Sequence, residues 1–225
     1  MKLYKIDMHV HTAEVSPCGK VKAAEVVRLY KDAGYDAIVI TDHYSSSFFQ
    51  AAKDISWAEK IDRFLEGYRI AFAEGESVGL NVILGMELRF ESGANEYLVY
   101  GVDEKFLKEN EELYKLEIDK FSTMVKDKGF LIYQAHPFRP KMTLADKKYL
   151  YGIEVFNGNP RHNSQNDVAY KYAVEHNFKM ISGSDFHQVE DLAKGGIAVK
   201  NKVTNIKELM DVLTSNDYEL LSAQE

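Results

Sequence analysis

Short apolar runs alternate with amphipathic segments along the whole chain. Such runs are typical of strands that are buried on both faces, because a strand covered on both sides needs no polar alternation. They lie at residues 3–8, 37–40, 81–86, 96–102, 130–134, 152–156, 179–182 and 197–203. We predict a strand at each of these positions.

Between the runs, apolar residues recur at intervals of three and four, which places them on one face of a helix. The stripes are Ala23, Val26, Val27 and Tyr30; Trp57, Ile61, Phe64, Leu65, Tyr68 and Phe72; Tyr114, Ile118, Phe121 and Val125; Ala169, Tyr172 and Ala173; and Ile206, Leu209, Met210 and Leu213. Gly34 and Gly129 follow two of these stripes, where a glycine commonly ends a helix. The second stripe predicts one long helix.

Strands that alternate with helices predict a parallel sheet, since parallel neighbours need crossover connections. Seven or eight such units favour an α/β barrel with the helices outside. We expect residues 1–225 to form a single domain, because barrels of roughly 200–250 residues fold as one unit. The segments 44–55 and 139–146 fit no element. Each follows a strand end, where barrels carry their active-site loops, so both are candidate lids or substrate loops.

Composition and charge narrow the function classes. Hydrophobic residues make up 45% and charged residues 28% of the 225 residues, as in a globular protein with a sizeable core. The 35 acidic residues outnumber the 28 basic ones, giving a formal charge of −7, so we do not expect a general nucleic-acid or membrane-surface binder. Cys18 is the single cysteine, and no apolar run reads as a leader or a membrane span. These features predict a cytoplasmic protein.

Residue types that bind metals follow strand after strand. His9 and His11 are two positions apart on the first strand, so their side chains point to the same side. A barrel gathers the carboxyl ends of its strands at one face, where residues dispersed in sequence converge. The strand-end set is His9, His11, His43, Glu87, His136, Asp185 and His187. Packed or solvated histidines are the alternative, but the repetition favours an ion site for zinc, manganese or iron.

Taken together, the motifs around these residues resemble the PHP (polymerase and histidinol phosphatase) superfamily. The motifs are Asp7-Met8-His9-Val10-His11-Thr12, Thr41-Asp42-His43, Gly85-Met86-Glu87, Ala135-His136-Pro137-Phe138 and Gly183-Ser184-Asp185-Phe186-His187. The resemblance implies a distorted (β/α)7 barrel with parallel strands, a trinuclear metal centre and phosphoesterase chemistry. It also implies a further histidine a few residues beyond the strand that ends near Asn157, a place that His162 matches.

The resemblance further implies how two or three divalent ions (Zn, Mn or Fe) are held. The ligand set would be His9, His11 and Asp185 for one ion, His136 and His162 for a second with Glu87 bridging the two, and His43 with His187 for a third. A hydroxide held between the ions would attack phosphorus. Asp185 and His187 are the candidate catalytic residues.

The chain departs from many relatives just after the first motif, where they place an acidic residue or a histidine. Here the segment is Glu14-Val15-Ser16-Pro17-Cys18-Gly19. Either Glu14 or Cys18 ligates the third ion, or neither does, and a free thiol is the alternative for Cys18. Asp42 either faces outward or orients a ligand imidazole from behind.

A phosphate ester needs positive charge beyond the ions, and the guanidinium fork matches its oxygens. Arg139 and Arg161 lie on predicted loops at the same face, and we expect them to clamp the substrate. Solvated loop arginines are the alternative. Lys141 and Arg89 are weaker candidates.

These observations favour a metal-dependent phosphoesterase that hydrolyses a small phosphorylated metabolite. Within that class, a histidinol-phosphate phosphatase of histidine biosynthesis is the alternative. A non-catalytic metal-binding module is the alternative from a different class. The number of metal ligands distinguishes such a module from an enzyme. Nuclease activity is disfavoured by the net charge.

Overall fold

The computed structural model describes residues 2–52 and 54–222, which form alternating strands and helices. The strands are β1 Tyr4–Val10, β2 Ala37–Ile40, β3 His43–Tyr44, β4 Asn81–Arg89, β5 Glu96–Tyr100, β6 Leu131–Gln134, β7 Gly152–Asn157, β8 Lys179–Gly183, β9 Gly195–Val199 and β10 Glu219–Ser222. The α-helices are α1 Ala23–Asp32, α2 Ser46–Gln50, α3 Trp57–Phe64, α4 Glu66–Val78, α5 Glu104–Glu109, α6 Ile118–Val125, α7 Asn166–Glu175 and α8 Ile206–Ser215.

The strands form one nearly closed, barrel-like sheet in the order β10-β9-β1-β2-β4-β5-β6-β7-β8, and β3 pairs with β4. The pairs β1/β2, β2/β4, β6/β7 and β7/β8 are parallel. The sheet nearly closes between β8 and β1, because the His11 amide just after β1 donates to the Phe186 carbonyl just after β8 at 3.0 Å. The expected α/β barrel is therefore confirmed.

Two strands depart from the expected parallel arrangement. β5 is antiparallel to β4 and to β6, and β9 is antiparallel to β1 and to β10. The connection from β4 to β5 is short and contains no helix, so it makes a hairpin and not a crossover. As a consequence, β5 begins, and does not end, at the face where β4 and β6 end.

In place of the predicted long helix, the structure has two helices, α3 and α4, which are separated at Leu65. The backbone of Leu65 has φ −86° and ψ 0°. Ser56 begins α3 with a capping box to Glu59, and each side chain bonds the other's backbone amide. The unplaced segment 44–55 contains α2, whereas 139–146 forms neither helix nor strand.

The helices cover the outside of the sheet through their apolar stripes. Val26, Val27 and Tyr30 of α1 pack in one buried cluster with Ile38 and Ile40 of β2. Burial of such side chains contributes about 1.5–3 kcal/mol each, so this packing holds the sheet face in place. Within the described ranges, none of the helices has both the length and the apolar character needed to cross a bilayer.

Candidate metal centre

A cavity of about 430 Å³ opens where β4, β6 and β8 end and where β3 and β5 begin. The residues predicted from the sequence that line it are His43, Glu87, His136, Arg139, Arg161, His162, Asp185 and His187. His9 and His11 lie beneath it, fully buried. The fold therefore brings the dispersed strand-end residues to one place, as the sequence predicts.

The innermost group has the spacing of ligands around one ion. Asp185 Oδ1 lies 3.4 Å from Nε2 of both His9 and His11, and the Glu87 carboxylate lies 3.3 Å from His9 Nε2 and 3.4 Å from His11 Nε2. Four ligands at about 2.1 Å from one ion in tetrahedral geometry lie roughly 3.4 Å apart. Among the described residues, the two buried Nε2 atoms have no hydrogen-bond partner. These residues fit a divalent ion.

Outer hydrogen bonds fix the imidazoles in the tautomer that a metal requires. His9 Nδ1 lies 2.9 Å from Glu154 Oε1, and His187 Nδ1 lies 2.9 Å from the Asp185 carbonyl oxygen. A carboxylate or carbonyl oxygen only accepts, so each Nδ1 donates its proton in these bonds and Nε2 is left as the nitrogen that can bind an ion. His11 Nδ1 similarly lies 3.2 Å from the Ser16 hydroxyl. Partners behind the imidazoles are typical of metal sites.

Glu87 contacts more imidazoles than the other carboxylates of the site. Besides His9 and His11, its Oε1 lies 3.1 Å from His136 Nε2 and its Oε2 lies 2.8 Å from His43 Nδ1. Burial raises the pKa of Glu87, but the imidazoles of His9 and His43 hold it well below its usual range. An ionised carboxylate among four imidazoles suits a ligand that bridges two ions.

The imidazoles differ in their electrostatic surroundings. Burial lowers the pKa of His9, but the carboxylates of Glu154, Asp185 and Glu87 raise it well above its usual range. For His11, burial lowers the pKa and the imidazoles of His187 and His43 lower it further. The His11 ring is therefore neutral without any ion, whereas an ion that binds His9 displaces a proton.

Glu96 is the site residue that the sequence reasoning missed. It forms a possible ion-binding group with His43 and Glu87, and its Oε2 lies 3.5 Å from His136 Nε2. The expectation of parallel strands placed candidate ligands at carboxyl ends, whereas Glu96 begins the antiparallel β5. The short, helix-free connection before it was the available signal.

Two residues of the site have strained backbones. His136 has φ +29° and Asp185 has φ +50°, which residues other than glycine rarely adopt. Such conformations cost about 1–3 kcal/mol each and cluster at functional sites. The cost is tolerated here because the turns after β6 and β8 direct both side chains into the cavity.

The structure resolves the two readings of Asp42. Its carboxylate is buried and accepts hydrogen bonds from the Thr12 amide and from the Ser16 hydroxyl, each at 2.7 Å. Since Ser16 in turn contacts His11, Asp42 supports a ligand imidazole from behind. Asp7 has a similar supporting position, because it accepts from the His9 amide at 3.1 Å and from the Tyr30 hydroxyl at 2.8 Å.

Of the two predicted clamp residues, Arg139 is closer to the ion ligands. Its Nη2 donates to Asp185 Oδ2 at 2.8 Å and to Asn157 Oδ1 at 3.0 Å. Arg161 lines the cavity, but its guanidinium forms a two-point ion pair with the buried Asp191. The weaker candidates Arg89 and Lys141 are exposed and do not line this cavity.

The three remaining candidates from the sequence, His162, Glu14 and Cys18, differ in where they lie relative to the cavity. His162 lines the cavity with an exposed side chain and belongs to none of the ion-binding groups found among the described residues. Glu14 accepts from the Ala23 amide at 2.9 Å and so caps α1. The Cys18 thiol lies against His187 and His43; burial raises its pKa, but these imidazoles lower it to about 6. Of Glu14 and Cys18, only Cys18 adjoins the site.

Replacing Glu154 by glutamine tests the supporting hydrogen bonds. Glu154 accepts from His9 Nδ1, from the His136 amide and from Asn157, each at 2.9 Å. We expect Glu154→Gln to weaken ion binding by about 10–100-fold, the usual effect of losing such a partner. Ion affinity by competition with a chelating dye measures it. Glu190→Gln, an exposed position, is the control, and unchanged affinity in Glu154→Gln would contradict the supporting role.

Known proteins are similar to this chain in sequence or in fold. The family model of the PHP domain matches residues 7–208. An uncharacterised protein of Methanocaldococcus jannaschii is 31% identical over 119 residues, 44% of this chain and 49% of that protein. The match thus spans about half the length of that relative.

Two crystal structures resemble the chain at low sequence identity. PsfC from Pseudomonas syringae aligns with a TM-score of 0.72 at 18% identity, over 99% of this chain and 93% of PsfC. A two-domain protein of Bacteroides vulgatus that contains a predicted PHP-like metal-dependent phosphoesterase aligns with a TM-score of 0.68 at 18% identity. That alignment covers 98% of this chain and 65% of the two-domain protein. At such identities the likeness supports the fold.

Proposed function

The chain belongs to the PHP domain family, whose model matches residues 7–208, and from this membership we propose that it hydrolyses a small phosphorylated metabolite with the help of two or three divalent ions. The family is one of metal-dependent phosphoesterases, and clustered histidine and carboxylate ligands are present here. The proposal includes a cytoplasmic location, which the single cysteine supports.

The observation that carries the proposal is the set of buried imidazole nitrogens without partners. His9 Nε2 and His11 Nε2 are buried, have no hydrogen-bond partner among the described residues, and face the oxygens of Asp185 and Glu87 at 3.3–3.4 Å. Leaving a buried polar atom unpaired costs about 1–3 kcal/mol. A bound cation removes that cost at each of these atoms.

The residues divide into three ligand groups. We assign His9, His11 and Asp185 to the first ion, Glu87, Glu96 and His136 to the second, and His43 with His187 to the third. Glu87 lies between the first two groups and would bridge their ions. His162, which the resemblance assigns to the second ion, remains a candidate ligand there. When bound, the ions supply Lewis-acid activation of water and neutralise charge on the phosphate oxygens.

Asp185 and His187 are the proposed catalytic residues because both would hold an ion and both line the cavity. Asp185 connects the two functions of the site, since Oδ1 faces the His9 and His11 nitrogens while Oδ2 accepts from Arg139. Arg139 is thus held beside the ions, where its guanidinium can bind a phosphate oxygen. Arg161 and Lys20 add positive charge at the cavity wall.

The size of the cavity favours a small substrate. A volume of about 430 Å³ lies in the range of small-molecule sites. The formal charge of −7 opposes binding to a polyanion such as DNA. Local positive charge inside an acidic protein therefore favours a single phosphorylated metabolite.

Assays of the purified protein loaded with Mn²⁺ or Zn²⁺ test the proposal. We expect hydrolysis of p-nitrophenyl phosphate and of at least one member of a panel of phosphorylated metabolites, including histidinol phosphate. We expect chelation to abolish turnover and the same ion to restore it. Ion binding without turnover of any compound would leave a non-catalytic metal-binding module. Release of nucleotides from single-stranded DNA would contradict the assignment to small substrates.

Arg139→Gln should raise KM for the phosphorylated substrate by about 10–100-fold, because a charge-assisted hydrogen bond contributes about 1.5–3 kcal/mol. Steady-state kinetics at saturating metal measure it. Since Arg139 also holds Asp185, the ion content must be shown to be unchanged. Arg89→Gln is the matched control, as Arg89 is exposed away from this cavity. A KM equal to that of the wild type would show that Arg139 does not bind the phosphate.

A further inference from the structure

The two arginines of the cavity are held by different carboxylates. Arg139 Nη2 donates to Asp185 Oδ2 at 2.8 Å, and Asp185 is one of the proposed ligands of the first ion. Arg161 donates instead from Nη1 and Nη2 to the two oxygens of Asp191. Asp191 belongs to none of the ion-binding groups found among the described residues. Of the two guanidinium groups, only that of Arg139 is therefore fixed to a side chain that would hold an ion.

Arg161 is anchored in the cavity wall and yet accessible. Asp191 is fully buried, whereas 35% of the Arg161 side chain is exposed, and this exposed part lines the cavity. Asp191 also accepts from the His187 and Gln188 amides at 2.8 and 3.0 Å, which fixes its carboxylate independently of the arginine. Because Asp191 takes up the end of the guanidinium through Nη1 and Nη2, the edge that carries Nε remains for a second two-point partner. Such an edge suits a carboxylate or a phosphate.

A second cation belongs to the same part of the wall. The Lys20 amide donates to the His187 carbonyl at 2.7 Å, and the His187 amide donates to Asp191 Oδ2 at 2.8 Å. The backbone of His187 thus connects Lys20 to the carboxylate that holds Arg161. The side chains of Lys20 and Arg161 both line the cavity. The wall beside His187 therefore presents an ammonium and a guanidinium group to the same space.

These two charges exceed what the phosphate at the ions needs. A phosphate monoester has three non-bridging oxygens, and in the proposed function these oxygens face the ions and Arg139. The ions and one charge-assisted hydrogen bond already neutralise such a dianion. A further guanidinium and a further ammonium group therefore fit a separate anionic group, which does not compete for the same oxygens.

We propose that Arg161 and Lys20 bind a second anionic group of the substrate, either a carboxylate or a second phosphate. The inference rests on the proposed phosphoesterase function and narrows its substrates to phosphorylated metabolites with a second negative group. Arg161 is then a specificity-determining residue, whereas Arg139 binds the phosphate that is hydrolysed. A volume of about 430 Å³ holds both groups and a short carbon chain. Histidinol phosphate carries an amine in place of such an anion, so it should be a poor substrate.

Matched pairs of compounds test the second anionic group. Phosphoserine differs from phosphoethanolamine by one carboxylate, and the bisphosphates of short linear diols differ from the monophosphates by one phosphate. With the metal-loaded full chain, we expect KM to be about 10–100-fold lower for the member with the second anion in at least one kind of pair. The kind of pair that shows the difference tells a carboxylate from a phosphate.

Arg161→Lys tests the guanidinium while a positive charge stays beside Asp191. A lysine can keep one bond to Asp191, but it has no planar fork for a second partner. We expect the ratio of KM values within a pair to fall by about tenfold, whereas a merely structural change would alter both members alike and leave the ratio unchanged. Arg28→Lys is the matched control and should keep the ratio, because Arg28 pairs with Glu74 at 2.7 Å and does not line this cavity.

Lys20→Gln is a second variant at an exposed side chain, and it should also lower the ratio of KM values. Hydrolysis with equal KM values within every pair, or a ratio that both Arg161→Lys and Lys20→Gln leave unchanged, would overturn this inference and leave the phosphoesterase function standing. If none of the compounds is hydrolysed, the proposed function fails. The same compounds are then stable ligands, and calorimetry with the metal-loaded protein measures their dissociation constants. Tighter binding of the member with the second anion, lost in Arg161→Lys, would support the second site alone, and equal dissociation constants would overturn it as well.

Discussion

Replacing Glu87 by glutamine is expected to lower the hydrolysis of phosphate esters by roughly a thousandfold. The carboxylate lies within 3.4 Å of a nitrogen of His9, His11, His43 and His136. Glutamine has nearly the same shape but no negative charge, so the variant tests the charge of the bridge and not its packing. We also expect fewer ions per chain, because the first two groups share this ligand. Steady-state kinetics and elemental analysis of the loaded protein measure both.

The control for Glu87 is Glu91→Gln, which removes one negative charge at an exposed position just beyond β4. It should keep the ion content and the activity of the wild type. Activity in Glu87→Gln within tenfold of that of the wild type, at full ion content, would contradict the bridging role. A properly folded variant is recognised by an unfolding transition as cooperative as that of the wild type.

Much of this site was predictable, because a barrel brings together the residues at the carboxyl ends of its strands even when they are far apart in sequence. His9, His43 and His136 are far apart in sequence, yet each follows an apolar run that forms a strand, and parallel strands end at one face. Hydrophobic pattern and residue type were therefore enough to place them together. The resemblance to the PHP superfamily, carried by the same residues, is confirmed by the match to the family model.

Glu96 was not predictable by that rule, because strand direction depends on the connection and not on the strand's own residues. The apolar run after Glu96 looks like any other strand, and only the short, helix-free connection before it indicates a hairpin. The break at Leu65 was missed for a related reason. The apolar stripe from Trp57 to Phe72 continues across the break, so periodicity alone gives one helix.

The supporting role of Glu154 was also not predicted from the sequence, unlike that of Asp42, which was one of two alternatives. Glu154 lies inside β7 and contacts His9, which is 145 positions away. Nothing local distinguishes it from a glutamate that faces solvent, since its role depends on which strands become neighbours. Glu14 shows the opposite case. It stands next to the first motif, but its carboxylate caps α1, because the chain there turns towards the helix start and not towards the cavity.

The second large effect is expected from Gly183→Ala, because Gly183 packs closely against two residues of the site. A Cβ at Gly183 would lie 2.4 Å from His9 Cβ and 3.1 Å from Glu154 Oε1. The added methyl group must displace either the ligand imidazole or its supporting carboxylate. Overpacking of this kind costs about 1–3 kcal/mol of the free energy of unfolding. Because His9 then shifts relative to Asp185 and Glu87, we expect activity to fall by roughly 10²-fold or more.

Gly129→Ala separates the effect on the site from the loss of stability. Gly129 has φ +73°, and a Cβ there would have no neighbouring atom within 4 Å, so alanine should cost about 1–2 kcal/mol through backbone strain alone. Thermal melts should show comparable losses for the two variants, whereas assays well below the melting temperature should show low activity for Gly183→Ala only. If the two variants were equally active, His9 would tolerate displacement. Binding of the first ion would then not depend on the exact position of the His9 imidazole. The comparison works because both substitutions add the same single methyl group, and only the one at Gly183 meets a ligand.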